Sequence, residues 1–170
     1  MSFEDFMRAR LPALMRYAVL LTGDRELAAD LVQEVMIRAH RKWGRVSGAD
    51  RPELYVRRMV TNAYLSHRRR RAVRTVALTF ESLDGPAAAA HPDHADRHAV
   101  RDELWQHLAA LPPRQRAVLV LRYYEGLSHE EIAELLGCAA SSVRSAAARA
   151  LAALRVELAG TPALTSGEDR

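Results

Sequence analysis

Apolar residues in the first part of the chain recur at spacings of three and four positions. One series runs from Phe3 to Leu21, and a second runs from Leu27 to Ala39 in steps of four. This period is typical of helices that have one apolar face. The intervening Thr22-Gly23-Asp24 ends the first series, and Asp24 is a suitable N-cap for the second helix, which we predict from about residue 25 to residue 43.

A third helix is predicted after a loop over residues 44–50, where Gly44 and Gly48 interrupt the pattern. Pro52 suits the first turn of this helix, and its apolar positions begin at Val56. The opposite face carries polar side chains at helical spacing, and four consecutive arginines extend it: Arg58, Asn62, Ser66, Arg68, Arg69, Arg70 and Arg71.

The second half of the chain predicts another helical unit. Residues 75–96 include Asp84-Gly85-Pro86 and a run of four alanines, and they show no periodicity. No segment alternates with the period of a strand. We therefore predict an all-α fold of two small helical domains, residues 1–74 and 97–158, joined by a flexible linker over 75–96 and followed by a disordered tail over 159–170.

Residues 127–155 contain a helix-turn-helix pattern. Ser128 and Glu131 form a capping box signature before an apolar run, and Ala133, Gly137 and Val143 follow at the spacing of the motif. Such a motif places the start of its second helix in the DNA major groove. An ordinary antiparallel helix pair joined by a glycine would give the same pattern, but the preceding segment from Leu111 predicts the supporting helix that the motif requires.

Charge is distributed unevenly over the 170 residues, whose formal net charge is +4. Residues 38–74 hold 12 basic and 2 acidic residues, whereas residues 1–37 have a net charge of −2 and residues 75–170 a net charge of −4. A segment this basic indicates contact with a polyanion, with a solvated helix face as the alternative. No apolar run is long enough to cross a membrane, the first residues lack a signal-peptide pattern, and Cys138 is a single cysteine, so we expect a cytoplasmic protein.

Several of these segments together resemble the extracytoplasmic-function group of the sigma-70 family, the small sigma factors of bacterial RNA polymerase. The sequence LPPRQRAVLVLRYYEGLSHEEIAELLG is similar to region 4 of that family, ADLVQEVMIRAHRKW to region 2.2, and residues 54–71 to regions 2.3 and 2.4. The variant YVRRMVTNAYLSHRRRR resembles an actinobacterial subgroup labelled SigE-like. The resemblance spans residues 3–157 and implies a sigma factor that directs promoter-specific transcription initiation.

The resemblance also implies roles for individual residues. Docking on the β′ clamp helices of core RNA polymerase is implied for Asp30, Leu31, Gln33 and Glu34, and region 4 is expected to bind the β flap. Binding and opening of the minus-ten element is implied for Arg38, Trp43, Tyr55, Arg58, Asn62, Arg68, Arg69, Arg70 and Arg71. Trp43 and Tyr55 suit either base stacking or the domain core.

Within the helix-turn-helix, contact with the minus-35 element is expected from Ser141, Ser142, Arg144, Ser145 and Arg149. Ala146 departs from the family pattern, which often has a basic residue there, and Ser66 replaces a frequent acid. Both departures bear on which promoter is read. Partners implied are core RNA polymerase, promoter DNA and an anti-sigma factor, without membrane insertion.

Three other hypotheses remain open. One, which is compatible with a sigma factor, is a partner-binding module held silent by an anti-sigma protein. A regulator that binds duplex DNA alone would need only the C-terminal motif. An enzyme or zinc protein would have to use the histidine-rich stretch 91–98, which lies in the predicted linker and lacks evident supporting residues. Since no phosphate-binding glycine loop or activated nucleophile is visible, we expect neither catalysis nor a metal or other cofactor, and Cys138 suits a buried structural thiol.

Overall fold

The computed structural model describes residues 1–81 and 106–159, with side chains described for 1–74 and 106–156. All of the regular structure in these residues is helical, as the sequence predicts. The chain divides into two compact units. Unit 1 comprises Met1–Ala18 and Asp24–Asp96, and unit 2 comprises Val19–Gly23 and Arg97–Arg170.

Unit 1 is built on four helices: α1 over Phe3–Thr22, α2 over Arg25–Arg41, α3 over Trp43–Ser47 and α4 over Pro52–Glu81. The predicted cap of α2 is confirmed, because Asp24 Oδ1 accepts from the backbone N–H groups of Glu26 at 2.8 Å and Leu27 at 3.1 Å. Gly23 before it has a φ of +72°, which supplies the sharp reversal between α1 and α2.

The predicted apolar faces meet in the core of unit 1. The α1 residues Phe6 and Leu14, the α2 residue Val35 and the α4 residues Val56 and Val60 are all buried. The apolar stripes of α1, α2 and α4 therefore face the interior of unit 1. Burial of these side chains is the main source of the stability of unit 1. The opposite, polar face of α4 is exposed to solvent at Arg58, Asn62 and Arg69.

Two features of unit 1 differ from the prediction. The segment after Trp43, predicted as a loop, forms the short helix α3, which contains Gly44 and fully buries Val46. Gly48 is the C-cap at which this helix ends. Helix α4 continues to Glu81, seven residues beyond residue 74, the predicted end of the first domain. Neither glycine nor proline occurs between Pro52 and Gly85, so nothing in that stretch forces the helix to stop.

In unit 2, residues 106–110 are helical, and α5 over Pro113–Leu119 is followed by a π-helical turn over Val120–Tyr124. Helices α6 over His129–Leu136 and α7 over Ala140–Ala159 complete the described part. A core cluster is formed by Leu111, Leu119, Ala150 and Leu154. The supporting segment predicted from Leu111 thus packs against α7.

The π-helical turn was not predicted, since the sequence pattern after Leu111 indicated only an ordinary supporting helix. The backbone N–H of Glu125 donates to Val120 O at 3.2 Å, which closes a turn one residue wider than that of an α-helix. Val120 and Leu121 remain buried, whereas Tyr123 and Tyr124 are 65% and 47% exposed.

The local geometry predicted for the helix-turn-helix is confirmed. Ser128 Oγ accepts from Glu131 N at 3.1 Å, and the Glu131 carboxylate accepts from Ser128 N at 2.8 Å, which completes the capping box. Gly137 has a φ of +64°, and Cys138 N donates back to Ala133 O at 3.0 Å. This left-handed turn redirects the chain between α6 and α7, and Val143 fills the space between them at 1% exposure.

Candidate functional site

Three of the residues assigned to the minus-ten element line one cavity on unit 1. Tyr55, Arg58 and Asn62 occur at spacings of three and four on α4, and with Arg45 of α3 and Met59 they surround a volume of about 280 Å³. Tyr55 is half-buried at its wall, while Arg58 and Asn62 are exposed. The cavity therefore combines an aromatic wall, an amide and two guanidinium groups.

Arg45 was missed in the sequence as a residue of this site. Its charge lies within the basic segment 38–74, but the loop predicted there gave no reason to place its side chain beside α4. The fold of α3 brings it to the cavity. The basic composition indicated that this segment contacts a polyanion. It could not show which of the twelve basic residues lies beside the cavity, because that depends on the tertiary structure.

The arginine run extends the same helix away from the cavity. Arg69, Arg70 and Arg71 are exposed and Arg68 is half-buried. Arg69 lies seven residues after Asn62, which returns it to about the same helical face two turns further along, roughly 10 Å away. Exposed guanidinium groups on a long helix suit contact with a nucleic-acid backbone.

Trp43 belongs to the packing of unit 1, the second of the two alternatives left open by the sequence. Its ring lies 5.4 Å from that of Phe3 in an edge-to-face arrangement and 5.2 Å from that of Phe6. The indole Nε1 donates to Met1 O at 3.3 Å. These three contacts engage the indole in holding the start of α1 against α3.

The residues assigned to polymerase docking do not share one environment. Asp30 and Gln33 are exposed and Glu34 is half-buried on α2, but Leu31 is 3% exposed. The Leu31 side chain therefore lies in the core of unit 1, and its assignment to polymerase docking stays a prediction. Glu34 forms an ion pair with Arg38 one turn later on the same helix.

An apolar groove borders this surface. It lies between α1 and α2, measures about 480 Å³ and is lined mainly by apolar side chains, including Met7, Met15, Met36 and Ile37, with Gln33 at its edge. Ile37 is 50% exposed, an unusual position for a large aliphatic side chain.

All five residues assigned to the minus-35 element are exposed on α7: Ser141, Ser142, Arg144, Ser145 and Arg149. Ala146 and Ala147 are 4% and 5% exposed and pack inward. Position 146 in this chain is thus a buried position, and its alanine does not remove a side chain from the exposed face. Arg144 Nη1 lies 3.2 Å from Glu130 Oε1 of α6.

The structure offers no support for a metal site or a reactive thiol within the described residues. The histidine-rich stretch 91–98 lies outside the described residues. Within the described ranges, no group of three or more potential metal ligands comes together, and no helix is long and apolar enough to span a bilayer. Cys138 is a half-buried free thiol in the turn before α7.

Comparison with known proteins shows two family models in succession along the chain. Residues 6–74 match sigma-70 region 2, and residues 101–154 match sigma-70 region 4. The RNA polymerase sigma-E factor of Streptomyces avermitilis is 37% identical over 161 residues, which cover 93% of this chain and 86% of that protein.

Two further similarities agree with these matches. The ECF RNA polymerase sigma factor SigL of Mycobacterium tuberculosis is 33% identical over 146 residues, 85% of this chain and 82% of the relative. The solved sigma factor RpoE from Bartonella quintana, in complex with the anti-sigma factor NepR, aligns with a TM-score of 0.70 and 25% identity over 93% of this chain and 97% of that chain. The chain belongs to the extracytoplasmic-function group of the sigma-70 family.

Proposed function

We propose that this chain is an alternative sigma factor that binds core RNA polymerase and directs it to specific promoters. The observation that carries this proposal is the succession of region 2 over residues 6–74 and region 4 over 101–154 in one chain. Region 2 carries a basic cavity on α4, and region 4 carries an exposed polar face on α7. A sigma factor needs two such surfaces, because it contacts two separated promoter elements.

Docking on the polymerase is assigned to the outer face of α2. Asp30, Gln33 and Glu34 present two carboxylates and an amide there, which suit a partner surface of basic character, and we assign that surface to the β′ clamp helices. Region 4 would contact the β flap. The exposed Tyr123 and Tyr124 are further candidates for that contact, since exposed aromatic side chains are enriched at protein interfaces.

Opening of the minus-ten element is assigned to the face of α4. A base extruded from the duplex loses stacking and pairing, and a pocket that restores these contacts offsets that cost. Tyr55 offers a ring for stacking, Asn62 an amide for a base edge, and Arg45 and Arg58 cations for the flanking backbone. The phosphates of the separated strand would be contacted by the arginine run, which comprises Arg68, Arg69, Arg70 and Arg71. Arg38, near the end of α2, is assigned to the same element as a further cation.

The minus-35 element is assigned to the exposed face of α7. Three serines and Arg144 lie within its first six residues, the part of a recognition helix that enters the major groove. The region 4 match over residues 101–154 holds six basic and six acidic residues, so its net charge is zero and nonspecific attraction to phosphate is weak there. We therefore propose that region 4 reads DNA effectively only when the polymerase holds it on the promoter.

The remaining assignments follow from the same proposal. Its partners are core RNA polymerase, promoter DNA and an anti-sigma factor of the kind named in the Bartonella complex. Its place is the cytoplasm, where the polymerase acts, without membrane insertion. It has no catalytic role or cofactor of its own, and residues 75–96 link the two functional domains before a tail over 159–170.

The test is transcription of genomic DNA by core polymerase with and without this chain. A sigma factor forms a complex with the core enzyme and produces starts at defined positions that the core enzyme alone does not produce. A stand-alone helix-turn-helix regulator, the alternative function, would bind duplex DNA tightly without polymerase and generate no new starts.

A further inference from the structure

An ion pair joins the two helices of the helix-turn-helix at its exposed face. Arg144, the fifth residue of α7, places Nη1 3.2 Å from Oε1 of Glu130, the second residue of α6. The neighbouring Glu131 uses its carboxylate in the capping box with Ser128. The two adjacent carboxylates therefore have different partners: Glu131 caps α6, whereas Glu130 contacts α7, the recognition helix.

The atom used in this pair leaves a specific part of the guanidinium available. Arginine carries five N–H donors in a planar fork, and contact through Nη1 leaves the edge formed by Nε and Nη2. That edge presents two parallel donors, which is the pattern that matches the O6 and N7 acceptors of guanine in the major groove. Glu130 therefore restrains the side chain without occupying the donors that a guanine needs.

Stability gives little reason for this pair. The side chains of Arg144 and Glu130 are 55% and 69% exposed, and an ion pair at such exposure contributes little to the free energy of folding. A carboxylate on a surface that faces DNA also repels the phosphates and lowers the affinity for every sequence. A restraint on the arginine, by contrast, reduces the side-chain entropy that is lost when it binds a base.

We infer that Glu130 is a positioning residue that holds Arg144 for recognition of one guanine in the minus-35 element. The inference rests on the proposed function, in which α7 enters the major groove of promoter DNA. By restraining Arg144, Glu130 increases the preference of the protein for guanine at one base pair. By repelling phosphates, it lowers the affinity of the protein for DNA of any sequence. These two effects have opposite signs and can be measured separately.

The experiment uses the full chain with core polymerase and a pool of duplex DNA randomised over the segment upstream of a mapped start. Bound DNA is sequenced for the wild type and for Glu130→Gln, Arg144→Ala, the double variant and the control Glu134→Gln. Glu134 is an exposed carboxylate one turn along α6, so its variant has the same charge change. Thermal unfolding of each variant, followed by circular dichroism, checks that its fold is retained.

We expect the wild type to select guanine at one position and Arg144→Ala to lose that preference. Glu130→Gln should weaken the same preference by about five-fold, a part of the discrimination that a bidentate arginine provides, while raising affinity for the pool as a whole. The double variant should match Arg144→Ala in preference, because Glu130 acts through Arg144. Glu134→Gln should leave the preference unchanged.

Two outcomes overturn the inference: a uniform change in affinity in Glu130→Gln with the guanine preference intact, or an unchanged preference profile in Arg144→Ala. Failure of the proposed function has a different signature. In that case the wild-type chain with core polymerase would select no upstream sequence at all, which removes the basis of the inference as well.

Discussion

The Tyr17 hydroxyl lies 2.6 Å from Thr61 Oγ1, and both side chains are fully buried where α1 meets α4. Thr61 Oγ1 also donates to Arg57 O at 2.9 Å, so the hydrogen of the 2.6 Å contact belongs to Tyr17. Arg57 lies over the Tyr17 ring at 5.9 Å. Thr61 directly precedes Asn62, and this buried contact therefore fixes the helix that carries the cavity lined by Tyr55, Arg58 and Asn62.

Removing the acceptor of this contact should destabilise unit 1. Thr61→Val places a methyl group against the buried Tyr17 hydroxyl, and we expect a loss of about 1–3 kcal/mol in the free energy of unfolding. The double variant with Tyr17→Phe should lose less than the sum of the two single variants, since neither polar partner is then buried alone. Urea unfolding followed by circular dichroism measures all three. Strict additivity would show that the two side chains are not coupled.

Two neighbouring alanines on α7 should respond oppositely to arginine. Ala146 is buried, and Ala146→Arg is expected to overpack the helix pair and lower the free energy of unfolding by about 1–3 kcal/mol. Ala148 is exposed, so Ala148→Arg should retain stability and increase the salt dependence of promoter binding by the holoenzyme. A stable Ala146→Arg variant with tighter DNA binding would contradict the inward placement of that position.

Promoter opening should depend on the α4 face more than polymerase binding does. Asn62→Ala and Arg69→Ala should each reduce the open fraction at the minus-ten element by about ten-fold, as expected for the loss of one well-placed base or backbone contact. Permanganate reactivity of unpaired thymines measures this fraction. The matched control is Arg25→Ala, an exposed arginine at the start of α2.

A promoter with a pre-formed bubble should restore most of the loss in Arg69→Ala, because strand separation is then supplied. A loss of core binding as large as the loss of opening in these variants, or an equal loss of opening in Arg25→Ala, would refute the assignment of the α4 face to opening.

Polymerase binding should depend on the outer face of α2. Asp30→Ala combined with Glu34→Ala should weaken the affinity for core polymerase by about ten-fold or more, in the range found for charged groups at interfaces, while the preference for promoter sequence is kept. Because Glu34 pairs with Arg38, Asp30→Ala with Gln33→Ala provides a second test that leaves this pair intact. Glu26→Ala, an exposed acid on the same helix, is the control. Normal core binding in both double variants would reject this docking surface.

The parts of the fold that depend on local chemistry could be predicted from the sequence. Asp24 and Ser128 cap their helices as expected, and Gly137 takes the left-handed conformation that the turn demands. Each of these signals lies within about four residues of the feature that it determines. The parts that depend on tertiary packing could not be predicted in this way.

Leu31 shows why. It lies between Asp30 and Gln33 in the segment that resembles region 2.2, yet the inward stripe of α2 determines its environment. Arg45 lines the cavity from α3, a helix that the sequence pattern did not predict, and the π-helical turn likewise had no signal in that pattern. The sequence pattern identified the residue types of the site, while the fold determined which of them meet.

The most direct test of the central claim is strand separation on a promoter of this protein, mapped from its own transcription starts. Core polymerase with the wild-type chain should make thymines of the minus-ten segment reactive to permanganate, whereas core polymerase alone and the chain alone should not. If the chain alone protects the duplex, and adding core polymerase produces no reactive thymines, the protein is not acting as a sigma factor.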